Sequence, residues 1–383
     1  MTRLIHGLFI LLFCSCAESQ SLQVGAERIP EYLPLLEGKR VGLIVNQTSR
    51  VGDTHLVDTL LSKGIEVVKV FAPEHGFRGE APDGATIDNT TDPRTGLPIV
   101  SIYGKNKKPT EEMLADVDVL LFDIQDVGVR FYTFISTMHY AMEAAAEQGK
   151  AIIVLDRPNP NGMYVAGPVK DEEVSSFVGM HPIPIVHGLT VGELAKMING
   201  EGWLAGGLKA NLTVVPVQGY DHTQTYELPV PPSPNLPTAN AIALYPSLAL
   251  FEGTVVSVGR GTDHPFEVIG HPDYAPGTFT FTPQPNAGSQ YPPLEGELCK
   301  GDDLRQAEPT RAFTLKYLIN YYRALQDQTE FFKPYLTLLA GTTTLAEQIK
   351  AGMTEAEIKA SWEPRLEKYR SLRKQYLLYP DFH

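Results

Sequence analysis

Ile65-Glu-Val-Val-Lys-Val70 runs directly into Phe71-Ala-Pro-Glu-His-Gly-Phe-Arg-Gly79. An apolar run rich in β-branched residues and closed by Pro73 reads as a buried strand that stops there. Just beyond it come a carboxylate, an imidazole and a guanidinium, Glu74, His75 and Arg78, spaced by Gly76 and Gly79. Alone, the string reads equally as a polar loop with a surface ion pair. Three recurrences of the pattern decide the fold. Arg40-Val-Gly-Leu-Ile-Val45 ends in Asn46, Val117-Asp-Val-Leu-Leu-Phe122 ends in Asp123-Ile-Gln-Asp126, and Lys150-Ala-Ile-Ile-Val-Leu155 ends in Asp156-Arg-Pro-Asn159. Between them lie helical spacings: Leu56, Val57, Leu60 and Leu61 before Gly64, then Phe134, Ile135, Met138, Ala141, Met142 and Ala145 before Gly149. Strands alternating with helices predict an α/β fold with a mostly parallel sheet. Ligands bind outside the carboxyl ends of such strands, so the strand-end groups are expected to converge on one crevice.

Moving outward, the Gly/Pro-rich stretch 79–96 reads as a long loop, a kind that often covers a site. Pro182–Val186 and Leu212–Val217 look strand-like, and Thr190-Val-Gly-Glu193 is a capping box opening a helix to Asn199. Composition changes at Pro229-Val-Pro-Pro-Ser-Pro-Asn-Leu-Pro237. The boundary is placed just past it, giving a first domain over 22–247 and a smaller α+β domain over 248–383. In the second, Gly253–Val258 and Thr278–Thr282 read as strands and 313–325 as an amphipathic helix. Thr344-Leu-Ala-Glu347 and Thr354-Glu-Ala-Glu357 read as capping boxes opening short helices.

A chain of 383 residues with 43% hydrophobic and 20% charged residues has the composition of a soluble globular protein. Its net charge of −13, without a basic face, argues against nucleic acid or an anionic membrane surface as partner. Residues 1–21 stand apart. Arg3 precedes the apolar Leu4–Phe13 and then Cys14-Ser-Cys16, which reads as a secretory leader. The apolar run falls short of the roughly 20 residues of a membrane-spanning helix. Ser15-Cys16 resembles a bacterial lipoprotein box with Cys16 as the lipidated residue, so a lipid-anchored, periplasmic protein is expected. Beyond the leader only Cys299 remains, too few cysteines for an internal disulfide or a structural zinc site.

The strand ends carry Asn46, Glu74, His75, Asp123, Gln125, Asp126, Asp156, Arg157 and Asn159. Charged residues are rarely buried unpaired, so three acidic clusters on one edge imply a metal site, an acid/base site or a salt-bridged floor. No G-x-G-x-x-G follows the first strand; Gly259-Arg-Gly261 has His264 where the third glycine would fall. No Walker loop, H-E-x-x-H helix or G-x-S-x-G elbow is present. No cofactor is therefore expected, and Asp123, Asp126 and Asp156 remain the alternative as metal ligands. Carboxylate acid/base chemistry, as in glycosidic hydrolysis, suits the rest. Glu74, flanked by Phe71, Pro73 and Phe77, is expected to be a general acid with its pKa raised by desolvation. Arg78 and Arg130 suit bidentate binding of a sugar carboxylate, or else pair with neighbouring acids. Glu252-Gly-Thr and Gly259-Arg-Gly-Thr-Asp-His-Pro-Phe-Glu267 read as a loop lining a cleft between the domains, or as an exposed hairpin turn.

Val41–Asn46, Pro73–Gly79, Phe122–Thr133, Leu155–Pro160, Glu252-Gly-Thr, Gly259–Thr262 and Tyr376–Pro380 resemble the motifs of the NamZ family of exo-acting β-N-acetylmuramidases. That family, once an uncharacterised-domain family, is widespread in Bacteroidetes, where exported lipoproteins are common. The resemblance implies a Rossmann-like first domain without nucleotide and release of N-acetylmuramic acid from the non-reducing end of peptidoglycan fragments. It implies Glu74 as the catalytic glutamate. Asp126 and Glu252 are candidates for the second catalytic group, and Tyr132, Asn235, Arg260 and His264 join the strand-end residues as substrate-binding candidates. Arg130 is expected to grip the lactyl carboxylate that distinguishes muramic acid from glucosamine. The insertion Lys170-Asp-Glu-Glu173 departs from the family pattern. Two other readings remain: a non-catalytic lipoprotein that binds peptidoglycan fragments, and a metal-dependent hydrolase.

Overall fold

The computed structural model describes residues 21–74, 76–77, 90–307, 312–327 and 330–382. Cys16 with nearly all of the leader, His75 and Arg78 lie outside the described residues. The centre is a seven-stranded sheet of β1 (Val41–Val45), β4 (Val67–Ala72), β5 (Thr90–Thr91), β6 (Pro98–Ser101), β7 (Val119–Asp123), β8 (Ala151–Leu155) and β9 (Asn211–Val215). Their order is β5-β6-β4-β1-β7-β8-β9, parallel throughout except for β5 at one edge. The chain builds outward from β1 in one direction and restarts at β7 on its other side, as in a doubly wound sheet. A two-stranded hairpin, β2 (Arg50–Val51) with β3 (Thr54–His55), follows β1.

The strands alternate between two apolar layers. Leu43, Val45, Val119 and Leu121 pack with α1 (Ile29–Leu36) and α2 (Leu56–Ser62). Ile44, Leu120, Phe122 and Val154 pack with α4 (Phe134–Glu147) and α5 (Val191–Glu201). Burial on both faces explains why β1 and β7 read as unbroken apolar runs rather than alternating ones. A one-turn helix, α3 (Glu111–Leu114), leads into β7.

No linker separates the two parts. Helix α6 (Ala239–Leu248) continues into a 3-10 turn, Ala249–Gly253, so the boundary expected after residue 247 falls inside a helix. Beyond it stand an antiparallel sheet, β10 (Val268–His271), β11 (Phe279–Phe281) and β12 (Cys299–Asp303), in the order β10-β12-β11, and the helices α7 (Lys316–Leu325), α8 (Tyr335–Ala340), α9 (Thr344–Lys350) and α10 (Glu355–Arg373). One apolar cluster spans both parts, from Ile44 and Phe122 to Trp362 and Tyr369. Cys299 is buried, and burial pushes its thiol up to about 12.

Several local expectations differ from what forms. Residues 182–186 and 253–258 make only isolated bridges, Val129 and Ala166 with Val186, Thr254 with Phe332 and Ser257 with Gly270. The Thr344 hydroxyl meets Thr342 rather than a backbone N–H, so that capping box is not made. The box at Thr354 is made, but it opens a helix of 19 residues rather than a short one. The box at Thr190 forms as expected and starts α5.

The last helix and the residues after it return to the first part. Tyr369 Oη donates to His187 O at 2.7 Å and Arg373 Nε to Gly188 O at 2.8 Å. Tyr379 Oη donates to Asp156 Oδ2 at 2.5 Å and accepts from Val217 N at 2.8 Å. Asp156, fully buried at the end of β8, also accepts from Thr190 Oγ1 and from the N–H groups of Arg157 and Gly192. Burial pushes its carboxyl up to about 6 against the pull of these donors. Above that pH the Tyr379 hydroxyl bonds a charged carboxylate, and below it a neutral acid. Tyr379→Phe should therefore lower unfolding free energy by about 1.5–3 kcal/mol well above pH 6, and by about 0.5–1.5 kcal/mol well below it. Urea midpoints on both sides of pH 6 measure this, and a penalty that does not shrink on acidification would contradict it.

Candidate active site

A cavity of about 610 Å³ opens beside the end of β4. Its walls come from stretches far apart in sequence: Glu74 after β4, Tyr103 and Lys107 after β6, Phe131 to Phe134 at the start of α4, Phe177, Asn235, and then Tyr245, Glu252, Arg260, Phe266 and Tyr335. Glu74 is held at both carboxyl oxygens. Tyr103 Oη donates to Oε1 at 2.6 Å and Thr133 Oγ1 to Oε2 at 3.1 Å. Thr133 is the N-cap residue of α4, yet its hydroxyl makes no capping bond and turns to the glutamate instead. Across the cavity, Arg260 Nε donates to Glu252 Oε1 at 2.6 Å while its guanidinium lies 5.2 Å from the centre of the Phe266 ring. Tyr132, Phe131 and Phe266 meet Tyr245 edge-on, with ring centroids 5.9, 5.5 and 4.9 Å from it. Lys107 Nζ stands 4.5 Å over the Phe177 ring. The result is an aromatic chamber with one carboxylate held by two hydroxyls and another held by a guanidinium.

The strand-end groups do not all converge there. Glu74, Tyr132, Asn235, Glu252 and Arg260 line the cavity; the other described candidates do not. Arg157 grips Asp123 with Nε at 2.6 Å and Nη2 at 2.9 Å, both residues buried. Asn46 Oδ1 accepts from its own turn, at Thr48 N and Oγ1, and Gln125 Nε2 bonds the carbonyls of Asp126 and Pro158. Asn159 Nδ2 donates to Leu189 O. Asp126 Oδ2 accepts from Gly128 N and lies 3.6 Å from His187 Nε2, away from the cavity. His264 Nε2 sits 3.2 Å from Arg305 Nη1 on the outside. Asp123, Asp126 and Asp156 each face different partners, so they do not form a ligand set. Of the three sequence alternatives for the acidic edge, the salt-bridged floor describes Asp123 and Arg157.

Arg130 is the clearest correction. It is fully buried and lines no part of the cavity. Nη1 donates to Pro168 O and Ile183 O at 2.9 and 2.7 Å, Nη2 to Leu339 O and Ala340 O at 2.9 and 2.6 Å. The last two are carbonyls at the end of α8, where a cation also meets the negative end of the helix dipole. Gly341 takes φ +71° beside it, and a Cβ there would come within 2.5 Å of Nη2. Fully buried outside the cavity, and with both Nη atoms given to carbonyls, this guanidinium is not placed to bind a sugar carboxylate there.

Sequence reasoning missed Tyr103, Thr133 and Lys107. Tyr103 stands two residues past β6 just as Glu74 stands two residues past β4, so the strand-end rule applies there too. Thr133 and Lys107 gave no such signal, because only the fold brings them to Glu74 and to Phe177.

Comparison with known proteins agrees with this architecture. Residues 41–240 match the family described as Exo-beta-N-acetylmuramidase NamZ, N-terminal, and residues 243–379 its C-terminal counterpart. The chain belongs to the NamZ family. It is 39% identical over 393 residues to the Peptidoglycan beta-N-acetylmuramidase NamZ of Bacillus subtilis (strain 168), covering 95% of this chain and 92% of that protein. Crystal structures of two DUF1343 family proteins from Bacteroides fragilis NCTC 9343 superpose on it. One is 46% identical with a TM-score of 0.88 and the other 32% identical with 0.80; each alignment covers 94% of this chain and 99% of the other. The two NamZ regions meet inside α6.

The geometry of Arg130 gives a direct expectation for this NamZ-family chain. Arg130→Lys should lose at least about 2 kcal/mol of stability, since a lysine leaves carbonyls unpaired in the interior. The ratio of kcat/KM between muramic acid and glucosamine β-glycosides should stay at the wild-type value. Thermal unfolding and paired kinetics check it; a changed ratio in a stably folded variant would restore Arg130 as a clamp.

Proposed function

We propose that the protein is an exo-acting glycoside hydrolase that releases non-reducing-end N-acetylmuramic acid from peptidoglycan fragments, with its active site in the cavity between the two NamZ regions. The observation that carries this is Glu74: a carboxyl held by two hydroxyls, in an aromatic chamber that also contains Glu252. A 39% identical relative named as a peptidoglycan β-N-acetylmuramidase supports the substrate class.

Glu74 is the general acid in this reading. A group that gives and regains a proton in each turnover needs partners that tolerate both states. Hydroxyls do, because each can donate to a carboxylate or accept from an acid. The Tyr103 and Thr133 hydroxyls therefore orient Glu74 without fixing its proton count. Glu252, oriented by Arg260, is the second carboxylate of the pair that glycosidic cleavage uses. The aromatic walls cover the C–H faces of a sugar ring, and Asn235 adds a polar wall. A lactyl carboxylate calls for a cation, and among the described residues the cavity offers Lys107 and Arg260. No metal takes part in this scheme.

Turnover of a chromogenic N-acetylmuramic acid β-glycoside, undiminished by a chelator, is the test. Binding without release of the chromophore would make the protein a fragment-binding lipoprotein instead. In Glu74→Gln, which keeps the shape and loses the transferable proton, kcat should fall by about 10²–10⁴-fold with the fold intact by circular dichroism. Near-normal turnover in that variant would remove Glu74 from its role.

The same reading includes export and anchoring through Cys16. No helix among the described residues is long and apolar enough to cross a membrane, and the anchor proposed is lipid. Several acyl chains hold a protein firmly where a single one binds only marginally. Native protein should therefore partition into detergent, and Cys16→Ala should appear in the aqueous phase. Wild-type protein found wholly in the aqueous phase would remove the anchor.

A further inference from the structure

Two buried side chains in the wall of the cavity each leave one polar atom unused. Asn235 and Tyr245 line that cavity and are 4% and 7% exposed. Asn235 Nδ2 donates to Gly288 O at 2.8 Å. A carbonyl only accepts, so this bond fixes which way the amide points and leaves Oδ1 as an acceptor. The Tyr245 hydroxyl is a donor. Burial above all, then the charge of Glu252, holds its pKa well above the usual phenol value, so the proton stays on. Among the described residues neither Asn235 Oδ1 nor Tyr245 Oη makes a hydrogen bond, and neither atom is sealed from solvent. Both positions are rigid. Leu236 N donates to Ser233 O at 3.1 Å, closing the turn that presents Asn235. Tyr245 stands on α6 with Phe131, Tyr132 and Phe266 set edge-on around its ring.

We propose that Asn235 and Tyr245 hold the 2-acetamido group of the terminal sugar: Tyr245 Oη donates to its carbonyl oxygen, Asn235 Oδ1 accepts from its N–H, and the surrounding rings take its methyl group. This rests on the glycosidase reading above for the sugar that carries the amide. A secondary amide is the one substituent of N-acetylmuramic acid that combines a fixed acceptor, a fixed donor and an apolar end. The wall offers the converse of each. A sugar hydroxyl could meet either polar atom, but it has no apolar part to set against Phe131, Phe266 and Leu236. When the amide is missing, a buried donor and a buried acceptor lose their partners, and a site built in this way rejects the analogue strongly. The pair therefore selects N-acetylated sugars in the same cavity as Glu74, independently of any contact to the lactyl group.

The test uses two ligands that differ only at C2: N-acetylmuramic acid and 3-O-lactylglucose, in which a hydroxyl replaces the acetamido group. Each is used as the free sugar in calorimetry and as a chromogenic β-glycoside in kinetics. The wild type should favour the N-acetyl form in both Kd and kcat/KM. Tyr245→Phe removes only the hydroxyl and keeps the ring among its neighbours, so it should unfold at the wild-type temperature. In this variant the preference should fall about tenfold, the size of one lost hydrogen bond, with the values for 3-O-lactylglucose unchanged. Asn235→Leu should reduce the preference as well, but it also loses the bond to Gly288, so Tyr245→Phe is the deciding variant. A loss in Tyr245→Phe that is equal for both ligands, or no loss, would overturn the assignment while cleavage of the N-acetyl glycoside by the wild type left the activity standing. A wild type that releases no chromophore would overturn the hydrolase reading, and the calorimetric preference with its dependence on Tyr245 would still decide the amide site. A wild type that binds neither sugar would overturn both.

Discussion

A guanidinium without a carboxylate beside it sits deep in the molecule, and the geometry around the cavity depends on it. Removing a cation from water is costly unless its donors are satisfied, and Arg130 gives the four N–H groups of its two Nη atoms to four main-chain carbonyls, while Nε has no partner among the described residues. Two of them lie near residues 168 and 183 and two at the end of α8, so three separate stretches must approach one side chain. The consequences reach the cavity from both directions. Three residues after Arg130 comes Thr133, whose hydroxyl holds Glu74. On the other side α8 packs so closely on the turn 249–253 that a Cβ on Gly253 would meet Leu336 N at 2.5 Å, and Glu252 lies in that turn. One buried cation thereby constrains both carboxylates, although it touches neither.

The position of the cavity follows from what fills the sheet's natural crevice. In a doubly wound sheet the strand order reverses beside the first strand, here between β1 and β7, and ligands usually lie there. In this protein the end of β7 presents Asp123, which Arg157 grips bidentately, while Ser49 Oγ bonds the Asp123 carbonyl. The ion pair of Asp123 and Arg157 thus stands at the place where ligands usually lie in such a sheet. The cavity lies one strand away, at the end of β4, where the chain leaves Glu74 bonded only to side-chain hydroxyls among the described residues.

The strands of the first part were legible because each carries its own signal, an apolar run closed by a polar strand end, and β1, β4, β7, β8 and β9 formed within a few residues of their expected limits. The capping boxes at Thr190 and Thr354 were legible for the same reason: all their partners lie within four residues. The failures otherwise came where distant partners decide; the box at Thr344, whose hydroxyl turns to Thr342, is the local exception. Gly253–Val258 has the composition of a strand, but Phe332 and Gly270 offer it only single bridges. Arg130 at a strand end looks identical whether it will meet a ligand or carbonyls from residues 168, 183, 339 and 340. Glu74 and Glu252 were visible as candidates, whereas the hydroxyls of Tyr103 and Thr133 were identified only by the fold.

The closing contacts of Tyr379 set an order on how the molecule can be made. A ribosome delivers β8 and Asp156 more than two hundred residues before it delivers the tyrosine that completes the acid's set of donors. During that interval the first part can gather its sheet, yet the floor beside β8 lacks a hydroxyl and the surface around Val217 lacks its cover. The N-terminal half is thus not a finished unit awaiting a second one. Its stability arrives with the final stretch of chain. A polypeptide built this way stays short of its full native stability until Tyr379 has been made, which keeps it pliable until then.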